Sequence, residues 1–296
     1  NTRGERFMLR YNPSGAEFGT KEVIVHAIAK EVLEGRGTER GGVYSDLRYL
    51  PWDNASVQSD MSDLVEHGKR FGLDPRKRAI EMWPLAHTPT GGVPIDEDGA
   101  TSVPGLFAAG AVAGGVYGFG RIEGFTSIIT QVFGMRAGQA AASRAASVGR
   151  QDPVGEEVER ERERVYQLLE PRVGLPPSQV RKRIQAVMYQ SAWILRDEKG
   201  LTTGLEAISR LKEERIALSS SSRTLNLEWV EALEIPHLLL MAELMMRASM
   251  MRTESRGSFM RTDHPQTDDK NWLANIVFKK SDSGVVARVR RAEARP

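Results

Sequence analysis

Between His87 and Gly138 the chain gathers the residue types that chemistry on a flat ligand requires. A His-x-x-x-Gly-Gly turn (His87, Gly91, Gly92) leads into a short apolar stretch ending at Gly110. A glycine-rich loop from Gly114 to Gly124 follows, carrying Arg121, and a helix is expected to run from Ser127 to Val148. Glycine has no Cβ and tolerates positive φ, so backbone can lie close against a planar group. The helix then points its partial positive end and its unpaired N–H groups at whatever the loop holds. The order predicts bare backbone beneath a flat ligand, with one guanidinium reaching over it.

Elements on either side must position that segment. Lys21 to Leu33 places Val23, Ile24, Ala27, Ile28 and Val32 on one helical face, and Gly35-Arg36-Gly37 ends the helix. A second helix is expected from Asp60 to Phe71, and extended chain from Ala79 to Gly92. Asp96 to Gly99 has turn composition, and Val103 to Ala109 is expected as a short buried strand. After Asp152-Pro153 comes a charged helix, Glu156 to Glu170, with Glu156 and Arg160 spaced for i,i+4 pairing. Three amphipathic segments, Ser178 to Leu195, Leu201 to Leu218 and Leu227 to Arg252, have the three- and four-residue apolar spacing of a helical bundle. Residues 254–296 are polar, are expected to be irregular, and close on Arg288, Arg290, Arg291 and Arg295.

Composition narrows the chemistry. A net charge of +2 with 27% charged residues gives no general attraction for nucleic acid. The absence of cysteine excludes thiolate catalysis, disulfides and iron–sulfur ligation by this chain. Five scattered histidines have no metal-ligand spacing, so no metal site is expected. The most apolar run, His237 to Met251, is interrupted by Glu243 and Arg247 and is too short to cross a bilayer. At 296 residues the chain can bury a sizeable core in one large or two ordinary domains.

Three motifs, in order along nearly the whole chain, resemble the fumarate reductase / succinate dehydrogenase flavoprotein family, which includes aspartate oxidase. The family runs His-x-x-x-Gly-Gly, then Gly-Leu-Tyr/Phe-Ala-x-Gly-Glu, then His-Gly-Ala-Asn-Arg-Leu-Gly-x-Asn-Ser-Leu and Phe-Gly-Arg-x-Ala-Gly. The chain matches with His87, Gly91 and Gly92, with Gly105-Leu106-Phe107-Ala108-Ala109-Gly110, and with Arg121 and Phe133-Gly134 at the family distance. The stretch from Gly4, GERFMLRYNP, is similar to the family's capping-domain motif. Glu254 to Trp272 is similar to its Glu-Ser-Arg-Gly-x-His-x-Arg-x-Asp-x-Pro signature, with Phe259 in place of the histidine.

The resemblance implies an α/β fold with α: the last part of a Rossmann-like FAD domain (83–149), the remnant of a mixed capping domain (1–82), a helical bundle domain (150–255) and a C-terminal extension (256–296). It implies FAD as cofactor and hydride transfer between flavin and a carboxylic-acid substrate. No Gly-x-Gly-x-x-Gly follows a strand. The phosphate-binding half of the flavin domain is therefore expected from a preceding segment or another polypeptide. An iron–sulfur or other electron-transfer subunit is the implied partner. The implied location is the cytoplasm, with membrane attachment only through partner subunits.

Residue by residue, the resemblance assigns His87 and Arg121 to the substrate's carboxylates. The guanidinium's planar fork suits that task. Lys21 stands where the family has its proton-donating arginine; lysine can donate a proton but lacks the arginine's geometry. The implied cofactor contacts are Gly91, Gly92, Gly110, Ala111, Thr126, Ser127 and Ile128. Ala111 replaces the glutamate that holds a flavin ribitol hydroxyl in the family, and Glu123 is an acid the family loop lacks. Two other functions remain open: a non-catalytic subunit for assembly or electron transfer, and an amino-acid oxidase of the aspartate oxidase kind.

Overall fold

A computed structural model of the chain describes residues 1–118, 124–150, 152, 154–171, 173–282 and 284–292. They fall into two compact units, Asn1–Thr90 and Gly91–Pro296. Pro153 and Arg295 lie outside the described residues.

In the first unit a short helix α1 (Met8–Tyr11) packs against α2 (Lys21–Leu33), which has the bounds its periodicity predicts. Phe7, Met8, Ala27, Ile28 and Val43 form the core, with Tyr11, Ile24 and Val32 at its margin. Val23, expected on the packed face, is exposed. The same helix buries a carboxylate instead. Glu31 is fully buried and accepts hydrogen bonds from Arg36, Asn1, Tyr11 and Arg10 at 2.6–3.1 Å. The Arg36 hydrogen bonds are the main reason its pKa falls to about 2, against burial that pushes it up. Strand β1 (Val43–Ser45) pairs antiparallel with β2 (Ile80–Met82), and α3 (Ala55–Arg70) lies between them in sequence. That helix begins earlier than expected because the Asn54 side chain accepts from the Ser56 N–H at 2.8 Å and caps it.

The second unit opens with a two-residue strand β3 (Val93–Pro94) beside β4 (Ala113–Gly114), then helix α4 (Phe125–Val148). The strand expected over Val103–Ala109 is not formed. Val103-Pro104-Gly105 turns, with the Leu106 N–H on the Val103 carbonyl at 3.0 Å and Gly105 at φ 87°. Only an isolated bridge joins Ala100 to Phe107, and Val103 and Leu106 are 56% and 51% exposed. Helix α5 (Gly155–Tyr166) ends before the predicted Glu170, in a single 3₁₀ turn. Its ion pairs run Arg162–Glu159 and Arg164–Glu161, at i,i+3 rather than the expected Glu156–Arg160.

The helical bundle follows, as α6 (Pro177–Ser191), α7 (Glu198–Lys212) and α8 (Leu227–Met251). Strand β5 (Leu195–Arg196) comes before α7, so α6 stops short of the predicted Leu195. The Arg196 guanidinium ends α6 by donating to the Ala192 and Trp193 carbonyls. Asp197 caps α7 through the Gly200 N–H at 2.7 Å. That cap starts the helix earlier than its apolar pattern suggests. Val180, Ile184, Leu201, Ile208, Ile235, Leu239 and Met246 fill the space between the helices. Each such side chain contributes about 1.5–3 kcal/mol by leaving water. Gly204 lets the helices approach, since a Cβ there would lie 2.6 Å from Ser191 Cβ and 2.7 Å from Met246 Sδ.

Residues after Met251 are not irregular. They form β6 (Met260–Arg261) parallel to β5, a short helix α9 (Asp269–Trp272), and an antiparallel hairpin of β7 (Ala274–Ser281) and β8 (Gly284–Arg291). Arg288, Arg290 and Arg291 belong to β8. The stretch joining α8 to the hairpin is tied by buried charge. Arg261, 1% exposed, donates to the Ser249, Met250 and Arg252 carbonyls at the end of α8 and pairs with Asp263 at 2.7 Å. Those Arg261 hydrogen bonds hold the Asp263 carboxyl far below the carboxylate range. Asp263 also takes the Glu198 N–H at the start of α7. Glu254, fully buried, accepts from Arg252, Arg256 and the Asp268 N–H. Burial pushes its carboxyl up, but these donors outweigh burial and leave it below its ordinary value. Arg196 lies over the Phe259 ring at 5.0 Å, and burial, aided by Arg261, pushes its guanidinium down to about 10.

Candidate active site

The glycine-rich region builds from a close approach of two strands. Val93 lies opposite Ala113 and Pro94 opposite Gly114. A Cβ on Gly92 would sit 2.2 Å from the Val112 oxygen, and one on Gly114 would sit 2.6 Å from the Gly92 oxygen. Both glycines are therefore required by the chain itself, whatever else they face. Gly91 differs: a side chain there would meet nothing within 4 Å.

The chain enters β4 from a 3₁₀ turn, Gly110–Val112, that packs on α4. Gly110 takes φ 75°, a conformation that favours glycine, and its open side meets only Thr130 at 3.9 Å. Ala111 is exposed. The turn at Asp96–Gly99 meets the same face of α4 two turns further on, with the Arg136 guanidinium on the Glu97 carbonyl at 3.1 Å. A Cβ on Gly99 would collide with the Ala137 methyl at 2.6 Å.

The start of α4 is open. Its N-cap is Gly124 at φ 78°, which has no side chain to cap the first-turn N–H groups. Those groups have no partner within the helix either. Thr126 Oγ1 is shielded from water and has no hydrogen-bond partner among the described residues. Ser127 is exposed, and Ile128 is 57% exposed, close in sequence to the exposed Phe125. Gly92 thus lies against the Val112–Gly114 backbone, and the Gly110–Val112 turn against α4, where Gly110 nears Thr130, one turn beyond Thr126, Ser127 and Ile128. Arg121 and Glu123 lie outside the described residues.

His87 and Lys21 belong to the first unit. His87 is exposed, with Nδ1 2.8 Å from the Thr88 hydroxyl. Lys21 is exposed at the first position of α2, where the helix dipole disfavours a cation. One polar group escaped the sequence reading. The Tyr117 hydroxyl is shielded from water and lacks a partner among the described residues. The signal that could have found it was its place four residues before Arg121, where the family motif has histidine.

These features fit FAD in part. A helix tip with unclaimed donors and a buried hydroxyl suits the acceptor-rich edge of a flavin ring. The Ala111 side chain offers no hydrogen bond to a ribitol hydroxyl. Among the described residues no cluster of His, Asp and Glu is suited to a metal ion.

Comparison with known proteins agrees over both halves of the chain. Residues 1–127 match the family model of an FAD binding domain, and residues 181–294 match that of the fumarate reductase flavoprotein C-terminus. The chain belongs to the fumarate reductase / succinate dehydrogenase flavoprotein family. Among family members, it is 38% identical over 282 residues to one component of the CoM/CoB fumarate reductase of Methanothermobacter marburgensis, covering 95% of this chain and 50% of that one. The structure of E. coli quinol fumarate reductase FrdA superposes with a TM-score of 0.89 at 25% identity, over 100% of this chain and 55% of that one. Mycobacterium smegmatis Sdh1 gives 0.87 at 29% identity, over 99% and 50%. The chain spans about half the length of the curated relatives it matches. Among the described residues no helix is long and apolar enough to cross a membrane.

Proposed function

We propose that this chain carries part of an FAD-dependent oxidoreductase that moves a hydride between flavin and a carboxylic-acid substrate. The observation that carries this reading is the tip of α4, which Gly124 leaves without a side-chain cap and where the shielded Thr126 hydroxyl has no partner among the described residues, set in a region matched by an FAD-binding family model. Flavin, when bound, supplies the hydride chemistry. The α4 tip would hold negative charge on the ring edge, and Gly91 and Gly110 would leave backbone free beside it. Arg121 and His87 would bind the acid's carboxylates and orient it, and Lys21 would supply the proton. The family's domain plan goes with this reading: a capping remnant (1–82), the closing piece of a Rossmann-like FAD domain (83–149), a helical bundle (150–255) and an extension (256–296). Its partners would be the polypeptide segment holding the phosphate-binding half of the FAD site and an electron-transfer subunit, in the cytoplasm or at a membrane through that partner.

The test is Arg121→Ala in the complete, flavin-loaded protein. Acid reduction should fall by about 100-fold or more while bound flavin stays near the wild-type level. Equal loss of flavin would show that the arginine serves the cofactor. A second reading, a non-catalytic subunit for assembly or electron transfer, is favoured by Lys21 and Ala111, which remove two groups the family uses. A complete complex that purifies without visible flavin absorbance would select it.

A further inference from the structure

Tyr117 stands between two glycines that leave the chain bare. A Cβ at Gly115, which has φ 92°, or at Gly118 would meet no atom within 4 Å. The tyrosine lies three residues beyond β4, at the strand end of the glycine-rich loop, whereas Thr126 lies at its helix end. Its hydroxyl is out of reach of water and has no hydrogen-bond partner among the described residues. A phenol hidden in this way is unfavourable until an acceptor meets its O–H.

Two kinds of acceptor belong to the function proposed above: the polar edge of the flavin and the carboxylate of the acid. In that reading the flavin edge would already have the N–H groups of α4 and the Thr126 hydroxyl. A carboxylate is acceptor-only and takes several donors at once. Tyr117 also holds the position, four residues before Arg121, at which the family motif has histidine. Phenol keeps a donor there and gives up the positive charge that imidazole can carry. We infer that Tyr117 is a specificity-determining residue that donates its hydroxyl hydrogen to a carboxylate of the substrate, an inference that rests on the carboxylic-acid reading of this site.

Malonate is the probe, because with one carbon between its carboxylates it has no bond that the enzyme can oxidise. Its binding to the complete flavin-loaded protein is read from the flavin's visible spectrum, with bound flavin per protein measured alongside. Tyr117→Phe should weaken malonate by about 10- to 100-fold, the worth of one hydrogen bond to a charged group, and leave flavin content unchanged. Tyr117→His, which restores a donor, should recover most of that loss. Unchanged affinity in Tyr117→Phe overturns the inference, and so does flavin loss with affinity retained, which would place the hydroxyl on the cofactor. Equal weakening in both variants also overturns it, as the sign of a ring that only packs. Wild-type protein that holds flavin but binds no dicarboxylate would remove the carboxylic-acid reading, and this inference with it.

Discussion

Helices α4 and α8 are almost equal in length, 24 and 25 residues, and nearly opposite in their surroundings. Six residues of α8 are buried, from Ala232 to Ser249, between α6 and α7 on one side and the stretch after Met251 on the other. In α4 only Ala137 is buried, while Phe125, Ile128, Val132 and Met135 are exposed. Neither helix has a polar face along its whole length, so each requires cover on several sides. In α8 the bundle supplies it. In α4 the described residues supply the turns at Asp96–Gly99 and Gly110–Val112, with Gly105 beside the Arg144 side chain. The bundle is therefore where this chain holds itself together, and the glycine-rich region is where it offers surface to something else.

The comparison can be broken at three places. Glu254→Gln strips the buried arginines of their carboxylate, and denaturant unfolding should show a loss of about 3–5 kcal/mol. A loss below about 1 kcal/mol would mean that the buried charges are not what closes the bundle. Gly204→Ala drives a methyl into Ser191 and Met246. Overpacking outweighs the better helix propensity of alanine, for a net loss of about 1–2 kcal/mol by the same measurement. Ile128→Ser, at the open tip of α4, should change unfolding by less than about 0.5 kcal/mol. Should it match Gly204→Ala, then α4 is as firmly enclosed as α8 and the contrast fails.

Periodicity made the helices legible. The bounds of α2 match the expectation to the residue, and those of α8 to within one, because apolar spacing there coincides with burial. Where a side-chain cap decides, the apolar pattern misleads: Asn54 and Asp197 start α3 and α7 before their apolar positions begin. At Val103–Ala109 apolar residues suggested a strand, yet Pro104-Gly105 is a turn signal and outweighs them. The last hairpin was missed because charge hid its alternation; Val285, Ala287 and Val289 recur at period two through β8. Glu31 and Tyr117 were missed for a common reason. A buried polar side chain is recognised by what surrounds it in space; for Glu31 no neighbour in sequence carries that information, and for Tyr117 only its motif position before Arg121 hints at it.

Arg261 and Asp263 fasten opposite ends of two helices that precede them. A ribosome therefore delivers all three bundle helices before it delivers their fastener. Until that point the nascent chain holds apolar helix faces with no final lock, the condition in which aggregation competes with folding. A product truncated just after Met251 would remain in that state, which makes the short stretch beyond α8 the step that commits the bundle to its native form.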